Sequence, residues 1–272
     1  MKRILRPGLI LAMGMLTLGA CQKHLDVEGP VTSGSDLVET KANGNQVFRG
    51  PWVTMGDGMV RSFAEMTTDK MPVEFGVELK AGALENLPQM EHENNYEIPI
   101  HEQVKKVSAF DHIDIGWNPH GHEPQFLYGA QHFDFHFYMI SRAEQRAIPP
   151  YSPGSLFDIA PPPGYLPAGY FNPGGGVPNM GAHWLDAQAP ELGGQPFTKT
   201  FIYGTYDGRV IFYEPMITLA YLLETASATA EVKLPQKFAV AGYYPSKYHV
   251  YKNGSTGNHV VSFTDFQYKQ KD

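Results

Sequence analysis

A strict alternation of side-chain type in His132-Phe-Asp-Phe-His-Phe constrains the fold of this chain more than any other feature. Successive side chains of a β-strand point to opposite faces, so the three phenylalanines share one face and His132, Asp134 and His136 share the other. The phenylalanine face belongs in a hydrophobic core. The opposite face carries three side chains that bind metal ions well, which is not what an ordinary solvent-facing strand presents. The run therefore predicts a strand between a core and a polar site.

Short β-type runs recur along the rest of the chain, and Gly, Pro or Asn separates many of them. The patterns predict strands at 238–243, 248–251 and 259–266, and a hairpin that turns at Asp207-Gly208, a pair that tolerates positive φ angles. Many short strands with few helices are typical of a mainly-β sandwich or barrel-like fold. We expect a single domain of this kind over residues 47–272.

Helices are expected to be few and short. Ser141 followed by Glu144 has the spacing of a capping box and predicts a brief helix ending at Arg146. Apolar residues at helical spacing predict another helix over residues 216–226. Between them, residues 149–178 are crowded with Pro and Gly, and a loop of this length is usually functional or disordered. Aromatic residues within it favour an ordered loop lying on the domain: Tyr151, Phe157, Tyr165, Tyr170 and Phe171.

Residues 1–20 have the features of a lipoprotein signal peptide. A basic start containing Lys2 and Arg3 precedes an apolar run over residues 8–18, shorter than the roughly 20 residues of a membrane-spanning helix. The run ends in Leu-Gly-Ala before Cys21, and small residues before a cysteine are what the lipoprotein signal peptidase recognises. Lipid (palmitate) on Cys21 is therefore expected to anchor the chain to a membrane. An ordinary secretory signal that contains a cysteine is the alternative.

The residues after Cys21 and the overall composition narrow the possible partners. Polar residues without periodicity predict a flexible tether over residues 21–46. The anchor places the domain in the cell envelope, and Gln22, which is not acidic, favours the outer membrane or the cell surface. A net charge of −7 without a basic stripe argues against nucleic acid as a partner. Because Cys21 is the only cysteine, any metal must be held by His, Asp, Glu or Met.

Histidine is concentrated in the middle of the chain, where five of the eleven residues fall between His112 and His136. Residues two apart on a strand are about 6.6 Å apart along it, and residues four apart are about 13 Å apart. With metal–nitrogen bonds of about 2 Å, one ion can use His132 with Asp134, or Asp134 with His136. The third side chain then orients a ligand or belongs to a neighbouring site.

Side chains outside this strand complete the candidate ligands. His120 and His122 flank a glycine on a turn, which lets both imidazoles swing inward, while His183 and Glu214 are the expected distant contributors. We predict a site for one divalent transition metal ion, and zinc, iron, manganese and copper all accept such ligands. The candidates are His120, His122, His132, Asp134, His136, His183 and Glu214.

Two functional hypotheses follow from these residues. In the first, the chain is a membrane-anchored metal-binding protein, a hydrolase or oxidoreductase, in which an open coordination position meets water or a small molecule and Asp134 or Glu123 acts as general base. In the second, it is a non-catalytic envelope protein for stress response or ligand binding. The loop histidines then bond to backbone, and the strand residues form a buried, pH-sensitive polar network without metal.

Four motifs resemble those of one poorly characterised family of secreted bacterial proteins. They are Trp117-Asn-Pro-His-Gly-His-Glu-Pro, His132-Phe-Asp-Phe-His-Phe-Tyr, Gly181-Ala-His-Trp and Phe212-Tyr-Glu-Pro-Met-Ile-Thr. The resemblance covers about residues 48–266. One member of that family is known from a regulon governed by an extracytoplasmic sigma factor and its anti-sigma partner. The resemblance implies a compact β-rich domain, with assembly into a homo-oligomer as a further implication. It assigns no reaction and no role to these residues.

Overall fold

Two antiparallel β-sheets make up the fold of residues 38–272, the part of the chain that the computed structural model describes. The predicted signal peptide, Cys21 and the tether residues up to 37 lie outside the described residues. The strands are β1 (Val38–Thr40), β2 (Gln46–Arg49), β3 (Val53–Met55), β4 (Gly58–Met66), β5 (Pro72–Leu79), β6 (Asn94–Ile98), β7 (His112–Asn118), β8 (His132–Tyr138), β9 (Tyr170–Phe171), β10 (Ala182–Asp186), β11 (Lys199–Tyr206), β12 (Arg209–Thr218), β13 (Ser227–Glu231), β14 (Gly242–Lys252) and β15 (His259–Lys269).

Helices are short and lie between strands. The α-helices are α1 (Glu102–Lys105), α2 (Gln125–Tyr128), α3 (Arg142–Arg146) and α4 (Leu219–Glu224), and the 3₁₀ turns are Ala81–Leu84, Leu156–Asp158 and Pro190–Gly193. The first sheet has the strand order β1-β2-β4-β5-β15-β14-β13, with β3 also paired to β4. The second sheet has the order β6-β7-β8-β12-β11-β10-β9. Strand β8 therefore lies in the interior of the second sheet.

The main hydrophobic core lies between the two sheets. Strand β8 contributes Phe133, Phe135 and Phe137, and all three are fully buried. The Phe137 ring centroid is 4.4 Å from that of Phe263 and 5.5 Å from that of Phe75, both on the first sheet. This confirms the mainly-β prediction and selects the sandwich. Over residues 38–272 each sheet ends in two edge strands, so the sheets do not close into a barrel.

The second sheet is also covered on its outer face. Every residue of β8 is buried, including the histidines that point away from the core. Two smaller hydrophobic clusters lie on this side. One contains Phe212 and Phe157, the latter from the Pro/Gly-rich loop, and the other contains Tyr128, Phe197 and Met216. Side chains of β8 on the outer face of the second sheet are thus buried as well.

Local predictions are confirmed where cap or turn chemistry is explicit. The Ser141 hydroxyl accepts a hydrogen bond from the Glu144 backbone N–H, and the Glu144 carboxylate accepts one from the Ser141 backbone N–H, which completes the capping box of α3. Asp207 and Gly208 have φ angles of 51° and 67° at the turn between β11 and β12. Both features depend on a few neighbouring residues, so the sequence alone specifies them.

Three predicted elements differ from the structure. The helix expected over residues 216–226 is shorter, because pairing with β8 and β11 extends β12 to Thr218. The strands expected at 238–243 and 248–251 are replaced by the single strand β14. This strand contains Pro245, which lies outside the β14 residues that pair with β13. Strand β1 lies within the segment predicted as tether, where it pairs with β2.

The packing of the two sheets predicts the effect of truncating Phe137. Phe137→Ala should lower the free energy of unfolding by about 3–5 kcal/mol, because it removes a fully buried ring that touches the opposite sheet. Denaturant unfolding measures this quantity. Phe126→Ala is the matched control, since that side chain is 86% exposed and should change stability by less than about 0.5 kcal/mol. Equal effects of the two substitutions would contradict the assignment of the core.

Candidate metal centre

Six of the seven predicted ligands converge on the outer face of the second sheet, where they form two clusters. The first cluster is His122, His132 and Asp134, and the second cluster is His136, His183 and Glu214. Within each cluster, one potential donor atom per residue lies within 4.8 Å of the others. The buried His/Asp/Glu groups could therefore hold a metal ion, and the β8 residues divide between two neighbouring sites rather than sharing one.

The first cluster is built around Asp134, in the middle of β8. Its Oδ1 atom is 3.3 Å from His132 Nε2, and its Oδ2 atom is 3.6 Å from His122 Nε2. Asn118, on the neighbouring strand β7, donates from Nδ2 to Asp134 Oδ2 at 2.8 Å. Donor atoms bound to one tetrahedral ion at about 2.0–2.2 Å lie about 3.4 Å apart. The two nitrogen–oxygen separations, one to each oxygen of the carboxylate, are close to that value.

Backbone carbonyls orient both histidines of the first cluster. His132 Nδ1 lies 2.7 Å from the carbonyl oxygen of Ala130, and His122 Nδ1 lies 2.8 Å from that of Glu123. Because a carbonyl oxygen only accepts hydrogen bonds, Nδ1 carries the hydrogen in each ring. In the neutral rings, Nε2 then presents its lone pair towards Asp134. Metal-binding histidines in proteins are usually held in this way.

The second cluster is built around Glu214, on β12. Its Oε1 atom is 3.6 Å from His136 Nε2, and its Oε2 atom is 3.6 Å from His183 Nε2. The Phe212 ring packs against both imidazoles, with centroid separations of 4.9 Å to His136 and 5.4 Å to His183. The Phe212 ring occupies the space in which a Cβ atom on residue 204 would lie. The glycine at position 204 therefore allows Phe212 to pack against the two histidines.

Five buried atoms of the two clusters have no hydrogen-bond partner among residues 38–272. Leaving a buried polar atom unpaired costs about 1–3 kcal/mol, so a self-sufficient polar network would pair them. One cation in each cluster would bind up to four of them, because a single ion uses only one of the two ring nitrogens of His136. The atoms are His132 Nε2, Asp134 Oδ1, both ring nitrogens of His136, and Glu214 Oε2.

Burial and neighbouring charges set the protonation of the clusters. Burial lowers the pKa of His122, but Asp134 more than offsets this and raises it to about 9. Burial raises the pKa of Asp134, yet the two histidines of its cluster bring it below its ordinary range. Burial and the neighbouring His136 lower the pKa of His183 to about 3. Burial and the nearby Asp134 raise the pKa of Glu214 well above its ordinary value. At neutral pH, His122 therefore holds a proton that an ion would have to displace, and the raised pKa of Glu214 favours a proton there as well.

A cavity of about 720 Å³ opens onto both clusters. Its lining includes His122 and Asp134 of the first cluster and His183 and Glu214 of the second. Pro173, Gly174, Gly175, Gly176 and Val177 of the Pro/Gly-rich loop also line it. The volume suits a small molecule. The loop expected to lie on the domain is thus part of the wall of the site.

Glu93 lines the same cavity, although no pattern in the sequence singles it out. It immediately precedes the edge strand β6, which pairs with β7. Its Oε1 atom is buried without a hydrogen-bond partner in the described part of the chain, while Asn95 Nδ2 donates to Oε2 at 3.3 Å. Burial and the nearby Asp134 raise the pKa of Glu93 to about 8. A single carboxylate before a strand belongs to no periodic pattern in the sequence, so only the pairing of β6 with β7 shows that Glu93 lies at the site.

His120 is the predicted ligand that the structure does not bring to the site. It is exposed and belongs to neither cluster, and Glu123, the candidate general base, is exposed as well. Between the two turn histidines, Gly121 has a φ of 66°, and a Cβ atom there would overlap the Tyr128 carbonyl oxygen. The turn packs this closely against α2, so His122 alone reaches Asp134.

Comparisons with known proteins place the chain in no family: no family model matches it, and no curated protein or solved structure is detectably similar. The family resemblance of the four motifs therefore stays a prediction. Within residues 38–272, no helix combines the length and the apolar character that crossing a membrane requires. The case for function consequently depends on the geometry of the two clusters.

The pKa values predict that metal affinity rises with pH. An ion entering the first cluster displaces the proton of His122, whose pKa is about 9, and an ion entering the second displaces the proton of Glu214. For each displaced proton, affinity should rise by roughly tenfold per unit increase in pH, as long as the pH is below the pKa of that group. Competition titrations with a zinc chelator at pH 6, 7 and 8 measure this slope. Affinity that is flat or falls over this range would contradict the proton-coupled site.

Proposed function

We propose that the chain is a membrane-anchored envelope lipoprotein that binds divalent transition metal ions in two adjacent centres, each made of two histidines and one carboxylate. Its cavity presents the open coordination positions of these ions to a small molecule. The observation that carries this proposal is that nitrogen and oxygen atoms at metal-ligand spacing are also buried atoms without hydrogen-bond partners in the described residues.

Among zinc, iron, manganese and copper, we favour zinc because of the donor set. Two histidines and one carboxylate are the protein ligands of one class of catalytic zinc site, and they leave the fourth position of a tetrahedral ion open.

Hydrolysis is the chemistry that such a centre supports best. Zinc at a site with an open position lowers the pKa of its bound water to about 7 and polarises carbonyl or phosphoryl oxygens. The Pro/Gly-rich loop and Met216 give the cavity apolar lining, which strengthens electrostatic interactions at the ion. We therefore favour a hydrolytic activity on a small molecule that enters this cavity.

A metal-free polar network is the competing explanation of the buried histidines. The His132 Nδ1 hydrogen is committed to the Ala130 carbonyl, so a neutral His132 ring faces Asp134 Oδ1 with the lone pair of Nε2. A neutral ring leaves these two acceptors without a hydrogen between them, whereas an imidazolium supplies one from Nε2. A metal ion takes the place of that hydrogen, and the metal content of the protein separates the two explanations.

Metal content and its loss in isosteric variants test the proposed function. Elemental analysis of zinc-loaded protein, purified without chelators, should give about two ions per chain, and Asp134→Asn or Glu214→Gln should each remove about one. These substitutions keep the side-chain volume and take away the anionic ligand of one cluster. His120→Ala is the control and should retain both ions. Wild-type protein without stoichiometric metal would overturn the proposal.

Anchoring through Cys21 is tested separately. Wild-type protein expressed with a labelled palmitate analogue should incorporate label and sediment with membranes, whereas Cys21→Ser should do neither, because the lipid attaches to the thiol. A single chain gives weak, reversible anchoring, and the multiple acyl chains of a lipoprotein give stable anchoring. Ser35→Ala serves as the control. Label on the Cys21→Ser protein, or none on the wild type, would show that the anchor lies elsewhere or is absent.

A further inference from the structure

Glu93 occupies the place that a side chain on Gly116 would take. The register of β7 on β8 sets Gly116 directly opposite Asp134. Opposed residues of an antiparallel pair point to the same face, with Cβ atoms about 4.5–5.5 Å apart. A Cβ atom built on Gly116 would overlap Glu93 Oε1. The Glu93 carboxyl group therefore lies beside Asp134, in the place that the side chain of its cross-strand partner would normally occupy.

The two oxygens of Glu93 have different surroundings. Oε2 accepts a hydrogen bond from Asn95, which holds the outer side of the carboxyl group. Oε1 is buried and has no hydrogen-bond partner within residues 38–272. Glu93 lines the cavity together with His122 and Asp134, so its carboxyl group borders both the cavity and the first cluster.

Glu93 is not one of the donors of the first cluster itself, in which three donor atoms lie within 4.8 Å of one another. A ligand atom must approach the ion to about 2 Å. A group that hydrogen-bonds to a ligand water lies about 2.7 Å beyond that water. The position of Glu93, next to the cluster but outside its donor set, fits this second role.

We propose that Glu93 Oε1 accepts a hydrogen bond from a water molecule bound to the ion of the first cluster. This role depends on the proposed metal-binding function and names the group that acts on the bound water. With an ion in the first cluster, the Glu93 carboxylate would take a proton from the bound water, so the step needs no further reactant. Glu93 then returns the proton to the group that leaves during hydrolysis.

Cobalt titration tests this role without knowledge of the substrate. The protein carries Glu214→Gln, so that Co²⁺ occupies the first cluster, and visible absorption is followed as the bound water loses its proton with rising pH. Adding Glu93→Gln should lower the midpoint by about one pH unit or more, because Glu93, ionised beside a bound divalent cation, favours water over hydroxide through its charge and the hydrogen bond it accepts. Co²⁺ affinity should fall by no more than the roughly 10–100-fold that loss of an outer-shell partner causes.

Two further variants make the result specific. Gly116→Ala leaves the carboxyl group in the protein but displaces it from Asp134, and it should lower the midpoint in the same direction. Glu91→Gln removes an exposed carboxylate that lines the same cavity, and it should leave the midpoint unchanged. If both substitutions lower the midpoint, the shift does not come from a folding defect that only one of them causes.

The possible failures are distinguishable. A midpoint that Glu93→Gln does not move would overturn the role of Glu93 while leaving the metal site intact. Complete loss of Co²⁺ binding in Glu93→Gln, with Gly116→Ala still binding the ion, would make Glu93 a ligand and would also overturn the role. If the parent protein takes up no Co²⁺, the proposed function fails, and the role of Glu93 fails with it before any pH titration is made.

Discussion

Coverage of the second sheet on both faces is the constraint on which the rest of the structure depends. On a wet face, His132, Asp134 and His136 would find partners in water. Here the Pro/Gly-rich loop and two hydrophobic clusters bury the β8 side chains of that face and leave the cavity as the way in, so buried donors and acceptors need a partner from the protein or from something that enters the cavity. Asn118 and two backbone carbonyls supply some partners. The atoms left over face one another, and a cation is the partner that suits them.

The charges of the site are consistent with that role. Without an ion, the Asp134 carboxylate is balanced by the protonated His122, and the raised pKa of Glu214 favours its neutral form. Both effects limit uncompensated charge on the buried face, which would be costly. In the proposed metal-bound state, a divalent ion would take the place of these protons and use the same oxygens and nitrogens.

Much of the site was predictable because period-two alternation is a local property of the sequence. It identified β8, its core face and the ligands on its other face. The division into two clusters was not predictable, since it depends on how β10, β11 and β12 align with β8. His120 and His122 have similar local sequences, and only the packing of Gly121 against α2 separates them. The sequence pattern did not identify Glu93 either, because the place of that residue beside Asp134 follows from the pairing of β6 with β7.

Anomalous diffraction at the zinc absorption edge, from crystals of the zinc-loaded protein, would show directly whether the two clusters bind metal. We expect two peaks on the outer face of the second sheet. One should lie about 2.0–2.2 Å from ligand atoms of His122, His132 and Asp134, and the other the same distance from those of His136, His183 and Glu214. An anomalous map without peaks at either cluster, or with peaks at surface histidines alone, would contradict this expectation.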